Sequence, residues 1–300
     1  MAEISWGIML AAYLFVGGMA GGAYMVASLA DLFGKGKYKV LSKSGTYISL
    51  VSMLVGLILL VLDLGRFDVD PLGALNAYIN FPTSIMSVGT WIVTAFIVVS
   101  LITSVLWFFQ GSGLIRKIIE IAGLILGCST AAYTGLLLSF ARGRPFWVSP
   151  YLPVTFIVSG TLTGLVMALL LIPIIAWFMP RFFEDFKELV EDGTKFARIL
   201  MEGQKYISML IVVELVLVII ELGTGHGVSL LSIGRLSLPL YTYILLGMLL
   251  PLGIAYYSQR VDYVKMYSIM LPFSLAGFIL VLVGGFLLRY VILFGGQLIS

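Results

Sequence analysis

Val16-Gly-Gly-Met-Ala-Gly-Gly22 lies inside a long apolar run, and Val158-Ser-Gly-Thr-Leu-Thr-Gly164 echoes it inside another. Each stretch holds a glycine pair at a spacing of four, Gly18/Gly22 and Gly160/Gly164. Residues i and i+4 share one face of a helix, so each pair clears a smooth strip along which a second backbone can approach closely. Two further echoes follow in order. Leu62-Asp-Leu-Gly65 is matched by Ile220-Glu-Leu-Gly223, and Ala122-Gly-Leu-Ile-Leu126 by Ala276-Gly-Phe-Ile-Leu280. The offsets are 142, 158 and 154 residues, with a looser match around Pro82 and Pro239. Three echoes in register predict an internal duplication: a four-helix bundle over 1–144 and a second over 145–300, in the same orientation because each holds an even number of spans.

The composition requires those helices to lie in lipid. Of the 300 residues 60% are apolar and 11% charged, with a mean hydropathy of +1.09. So few charges could not cover a water-facing surface. A span needs about 20 mainly apolar residues. Eight stretches qualify, roughly 6–33, 46–63, 85–109, 117–140, 151–178, 204–222, 237–258 and 267–293. The expected fold is an all-α integral membrane protein of eight transmembrane helices, two duplicated four-helix bundles, embedded in a lipid bilayer. A net charge of +3, small and scattered, excludes nucleic acid as a partner. The first stretch is too long, and lacks the basic start, for a cleavable signal peptide.

Lys and Arg set the orientation. The first connection carries Lys35, Lys37, Lys39 and Lys43 with no acid, and its side holds 13 of the 18 basic residues. The opposite side holds Arg66, Arg142, Arg144, Arg235 and Arg289. The lysine loop is therefore expected in the cytoplasm, with both termini outside a multi-pass cytoplasmic membrane protein. Segment 179–205, with five basic and six acidic residues, reads as a solvated amphipathic helix on the cytoplasmic surface.

Two scarcities narrow the chemistry. One cysteine, Cys128, allows no disulfide, cysteine-held zinc site or iron–sulfur cluster within the chain. One histidine, His226, in the outer stretch Gly223-Thr-Gly-His-Gly227, excludes a haem held between two histidines. No haem and no metal are expected here, so a redox role needs an organic carrier or a partner's metal.

The polar groups gather toward the outer leaflet. Tyr13 lies about 10 Å below the outer surface at 1.5 Å per residue, and Tyr133 at a similar depth. Asp63 and Glu221 close spans 2 and 6 at that boundary, while Glu214, seven residues before Glu221, falls near the midplane on the same helix face. Arg142, Arg144 and Trp147 cap span 4, and Ser159 and Thr163 lie in the outer half of span 5. A quinone headgroup needs donors for two carbonyls and exchange of two protons. Tyrosine hydroxyls and a carboxylate near water supply both. Plainer roles compete: aromatic-belt anchoring for Tyr13, Tyr133 and Trp147, and a local Asp63–Arg66 ion pair. A midplane carboxylate such as Glu214 has no cheap structural role, which suggests a proton path with Glu221.

Taken in order, Gly17-Gly-Met-Ala-Gly-Gly-Ala-Tyr24, Leu62-Asp-Leu-Gly-Arg66, Ser84-Ile-Met-Ser-Val-Gly-Thr-Trp91, Ala132-Tyr-Thr-Gly135, Arg144-Pro-Phe-Trp147, Leu152-Pro-Val-Thr-Phe156 and Gly284-Gly-Phe-Leu-Leu-Arg289 resemble the NrfD/PsrC family, the quinone-reactive membrane subunits of polysulfide reductase and related oxidoreductases. The resemblance implies an eight-helix, haem-free subunit with a menaquinone-type site in the first bundle. It also implies a ferredoxin-like iron–sulfur subunit docked nearby, a molybdopterin catalytic subunit beyond it, and a possible dimer of the complex. Tyr133 and Tyr13 stand at the family's quinone-lining positions, and Asp63 and Arg66 at its acidic–basic pair. The chain departs from the family pattern at Leu10, Phe67 and Ile85.

The expected function is a membrane anchor that exchanges electrons and protons between a menaquinone-type carrier and a partner iron–sulfur chain, with the substrate chemistry in the partner. Asp63 and Tyr133 are the expected catalytic residues. Tyr13, Tyr133, Arg66, Arg142 and Ser159 are the expected quinone contacts, and Glu214 and Glu221 the proton path. The rivals are a secondary transporter built on the intramembrane carboxylates and an anchor that binds no quinone.

Overall fold

A computed structural model of the chain describes residues 6–63, 78–141, 144–178, 183–223 and 234–298. Eight helices in it are long and apolar enough to cross a membrane. They are α1 (Ile8–Phe33), α2 (Lys39–Asp63), α3 (Ile85–Phe108), α4 (Gly113–Ser139), α5 (Leu152–Phe178), α7 (Gly193–Gly223), α8 (Gly234–Arg260) and α9 (Tyr267–Leu298), with a short α6 (Glu184–Glu191) before α7. Among the described residues there is no strand.

Helices α1 to α4 pack on one another, as do α5, α7, α8 and α9, and α1 against α5 is the main junction between the sets. The glycine strips explain that junction. A methyl on Gly22 would collide with the Gly160 carbonyl, and one on Gly160 would stand 2.5 Å from the Gly18 carbonyl oxygen. Gly164 likewise abuts the backbone of Gly22 and Ala23. The two echoed motifs thus face each other, and backbone meets backbone where any side chain would hold the helices apart. Helix α1 ends up central, with 67% of its apolar window buried against 28% for α3 and α7. On the outer helices one face exposes Val51, Leu54, Val55 and Ile58 of α2, and Ile118, Ile121 and Ile125 of α4. A contiguous apolar surface of this kind suits hydrocarbon.

Helix α8 is broken in style, though not in path. Tyr243–Leu249 winds as a π segment, and Leu250 N–H donates to Leu245 O, five residues back. Pro251 follows, and lacks the N–H that an α register would need there. Beside the segment Gly247 meets Gly284 of α9, where a methyl would stand 2.6 Å from the Gly284 Cα.

Four expectations need correction. The lysine connection is shorter than its composition suggests, because Lys39 and Lys43 already belong to α2. Lys43 is buried and ion-paired with Asp185 of α6. Segment 179–205 is not one solvated helix: α6 buries Phe186 and Leu189, and α7 starts at Gly193 and runs 31 residues. Asp192 marks the break, accepting hydrogen bonds from the Thr194 hydroxyl (2.7 Å) and the Lys195 N–H (3.3 Å). Trp147 is no interfacial anchor. It is buried, stacks on Trp6 at 5.1 Å and donates from Nε1 to Ile292 O at 2.8 Å. Arg289 does not face water at the outer side: α9 continues to Leu298, and the side chain is fully buried against Ser159 and Phe156 of α5 and Gly18 of α1.

Candidate functional site

The inner faces of α1 to α4 carry small and polar residues where a soluble bundle would place leucines. At helical spacing α1 presents Tyr13, Gly17, Gly21, Tyr24, Ser28 and Asp31. Facing them are Ser49, Ser52 and Gly56 of α2, Gly89, Ser100 and Thr103 of α3, and Gly123, Gly127, Thr130 and Thr134 of α4, all buried. A seam of this kind admits ring-sized side chains at a few points. Tyr13 and Tyr133 occupy one end of it.

Each tyrosine is seated on glycine. The Tyr13 ring lies 3.6 Å from where a methyl on Gly56 would stand, and 3.7 Å from the equivalent point at Gly17. The Tyr133 ring fills the space over Gly89 so completely that a methyl there would fall inside it. The two phenols are close enough to interact electrostatically. Neither hydroxyl has an intramolecular hydrogen-bond partner among the described residues. Asp63, partly exposed at the end of α2, has Oδ1 3.9 Å from the point where a methyl on Gly7 would stand. It lies two turns beyond Gly56 on α2, so about 10 Å separates it along the axis from the level of Tyr13. Arg66 and Arg142 lie outside the described residues, as does His226.

Ser159 belongs to a different group. Arg289 donates from Nη1 to the Ser159 hydroxyl and to Gly285 O (3.0 Å), and its guanidinium lies 5.0 Å from the Phe156 ring centre. Glu214 of α7, also fully buried, interacts electrostatically with Arg289 and accepts from the Tyr243 hydroxyl at 3.0 Å. Tyr243 begins the π segment, so the irregular turn of α8 is what carries this donor. Arg289 Nε and Nη2 and Glu214 Oε2 have no hydrogen-bond partner among the described residues. The cluster also reaches the first bundle. Arg289 Nη2 stands 3.2 Å from where a methyl on Gly18 would be, with Thr134 Oγ1 3.9 Å from the same point. Thr134 is the chain neighbour of Tyr133. Glu221, two turns further along α7, accepts from Ser149 Oγ at 2.9 Å.

Sequence reasoning places Glu214 at depth but misses its cation. The available signal is Arg289 itself, four residues after Gly285 inside an apolar stretch. It also misses a buried ionic group at the opposite end of the α1–α4 seam. There Arg116 Nη2 donates to Asp31 Oδ2 at 2.9 Å, and Arg116 Nε lies 3.4 Å from Glu120 Oε1. Asp31, seven residues from Tyr24 on one face, is readable by spacing alone.

Comparison with known proteins agrees with this architecture. The chain is 28% identical over 167 residues to the Hdr-like menaquinol oxidoreductase integral membrane subunit of Archaeoglobus fulgidus, covering 54% of this chain and 40% of that protein. Against protein NrfD of Escherichia coli it is 28% identical over 196 residues, 56% of this chain and 59% of that one. Against the C chain of Wolinella succinogenes polysulfide reductase it is 27% identical over 325 residues, 98% of this chain and 95% of that one. The protein thus spans about half the length of the first two relatives and nearly all of the third. The family model for polysulphide reductase, NrfD, matches residues 1–300, and the chain belongs to that family.

Proposed function

We propose that this chain is the quinone-reactive membrane subunit of a respiratory oxidoreductase, with the headgroup site between Tyr13 and Tyr133. The observation that carries the reading is the pair of phenols, seated on Gly56 and Gly89, whose hydroxyls are committed to no protein acceptor among the described residues. Two free donors a short distance apart match the two carbonyls of a quinone. Asp63, nearer the helix ends, is placed to pass protons between the site and water. Bound there, a menaquinone-type quinone supplies a two-electron, two-proton couple. The chain's own part is to orient the headgroup by hydrogen bonds, keep the surroundings dry and exchange protons at Asp63.

Ser159 is left out of the headgroup contacts because its hydroxyl is taken by Arg289. Glu214 and Glu221 are retained as a second proton-bearing path, joined to the first bundle through Arg289 and Gly18. The names of the relatives, a menaquinol oxidoreductase membrane subunit and a polysulfide reductase component, support the same reading. Electrons would pass to or from a ferredoxin-like iron–sulfur subunit and a molybdopterin catalytic subunit. The lysine loop would lie in the cytoplasm and the tyrosine end outside, in keeping with the Lys and Arg distribution. The burial of Arg289 leaves the outer face with still fewer solvated charges.

Gentle purification followed by lipid extraction and mass spectrometry tests the proposal. A stoichiometric quinone with a co-purifying iron–sulfur protein is expected. A chain that retains neither, even in quinone-supplemented lipid, would sink it and favour a transporter.

A further inference from the structure

At the lysine-loop end of the seam, two carboxylates and one guanidinium are packed out of water. Asp31 and Glu120 are 6% and 1% exposed, and Arg116 stacks 3.7 Å from the Trp107 ring centre. Glu120 is close enough to interact with Asp31, with the Trp107 indole and with Tyr24. Yet Glu120 Oε2, Arg116 Nε, Trp107 Nε1 and the nearby Ser28 Oγ complete no hydrogen bond of ordinary geometry among the described residues. Glu120, Trp107 and Ser28 are each more than nine-tenths buried, and the Trp107 indole and the Arg116 guanidinium both approach the Glu120 carboxyl.

Charge counting shows what the cluster lacks. Two carboxylates against one guanidinium leave a net charge of −1 in a region too apolar to hold it cheaply. The other charged group packed against Trp107 is Lys43 of α2, 5.9 Å from the ring centre, and it is already neutralised by Asp185 of α6. Helix α3 brings Trp107 and no charge to this spot, while Lys39 of α2 and Lys117 of α4 are exposed. A metal cation is disfavoured by the guanidinium between the acids. A proton, lying between the carboxyl of one acid and the carboxylate of the other, neutralises the group without new ligands.

We propose that Asp31 and Glu120 hold a single proton between them, forming a proton-holding site at the lysine-loop end of the α1–α4 seam. Beyond it stands Tyr24, which donates to Thr103 Oγ1 (2.7 Å), since the Thr103 hydroxyl itself donates to Val99 O. Tyr24 lies on the stripe of α1 that ends at Tyr13. The site would give quinone chemistry a proton source on the face opposite Asp63. That use rests on the proposed function; the holding of the proton does not.

Infrared spectroscopy of the full chain in lipid, in H2O and D2O, reads protonated carboxyls directly by their C=O stretch. At neutral pH the wild type should show an exchangeable carboxyl band lost in both Glu120→Gln and Asp31→Asn, because either substitution leaves the remaining acid alone with Arg116 and ionised. Glu214→Gln serves to assign any band from the second bundle. A band that survives Asp31→Asn means Glu120 is protonated by burial alone, and a wild type with no such band means both acids are ionised; either overturns the proposal. Should either variant fail to fold, Asp31→Glu and Glu120→Asp, which keep both carboxyls, take their place. A shared proton should keep the band in each but at a moved frequency, and a band unmoved by Asp31→Glu means Glu120 holds the proton alone and overturns the proposal. A protein that shows the band but binds no quinone would keep the site and lose only its proposed use.

Discussion

Gly22 of α1 and Gly160 of α5 are in backbone contact across the junction of the two bundles, with no room for a single methyl between them. Gly22→Ala should therefore force α1 and α5 apart. Overpacking of a tight interface costs about 1–3 kcal/mol, and more where the obstacle is backbone. The expected result is a clear drop in the thermal midpoint of the detergent-solubilised chain. Gly113→Ala, at a site where a methyl meets nothing within 4 Å, should leave that midpoint unchanged.

The Tyr133 ring and hydroxyl can be separated by substitution. Tyr133→Phe keeps the ring over Gly89 and removes one donor, which should weaken quinone binding by about 1 kcal/mol, roughly fivefold in Kd, with little loss of stability. Gly89→Ala keeps the donor but displaces the ring, and should cost both stability and affinity. Titration of a quinone analogue into each purified variant, beside a melting curve, checks the pair. Equal affinities for wild type and Tyr133→Phe would remove Tyr133 from the headgroup site.

Arg289 and Glu214 should be more damaging to change singly than together. Removing one partner of a buried pair costs about 3–5 kcal/mol, because the other is left charged in the interior. Arg289→Gln alone should sharply lower the yield and melting point of the chain, and Arg289→Gln with Glu214→Gln should recover much of the loss. A double-mutant cycle on melting midpoints measures the coupling, and additive effects would show that the two charges do not see each other.

Outside the membrane, Asp192 makes a pH prediction. Hydrogen bonds from Thr194 and Lys195 hold its carboxyl below the usual range, at about 2. A depressed carboxyl stabilises the fold fully above its unfolded value and stops doing so as pH falls through the folded one. The start of α7 should thus keep its cap as pH falls through the ordinary carboxylate range and lose it near pH 2. Carbon-detected NMR of labelled protein would report this midpoint. Thr194→Val, which removes the first-named hydrogen bond, should move it upward.

Hydropathy and glycine spacing make the eight spans legible, because a lipid-spanning helix must advertise its length and a close helix contact must clear its side chains. The Gly18/Gly22 and Gly160/Gly164 strips are readable as packing surfaces, but not as each other's partners, since pairing depends on how two bundles rotate against one another. Tyr13 and Tyr133 are placed by depth alone. Depth cannot tell that Ser159, at a comparable level, turns toward Arg289. The ionic groups are the hardest to place. Arg289 reads as solvated because arginine near a helix end ordinarily snorkels. Asp31 is readable from its spacing to Tyr24, but nothing in the residues around Arg116 and Glu120 announces their burial, which comes from the packing of α1, α3 and α4 around Trp107.

Helix α1 is a party wall. One face lends Tyr13, Gly17, Gly21 and Tyr24 to the first bundle, while Gly18 and Gly22 on another serve the second. Inserting or deleting one residue within it would turn everything beyond by about 100°, presenting each tenant with the other's surface. Such a helix can change letters here and there, but its count of residues is held fixed by two neighbours at once, and length variation among relatives has to be absorbed elsewhere.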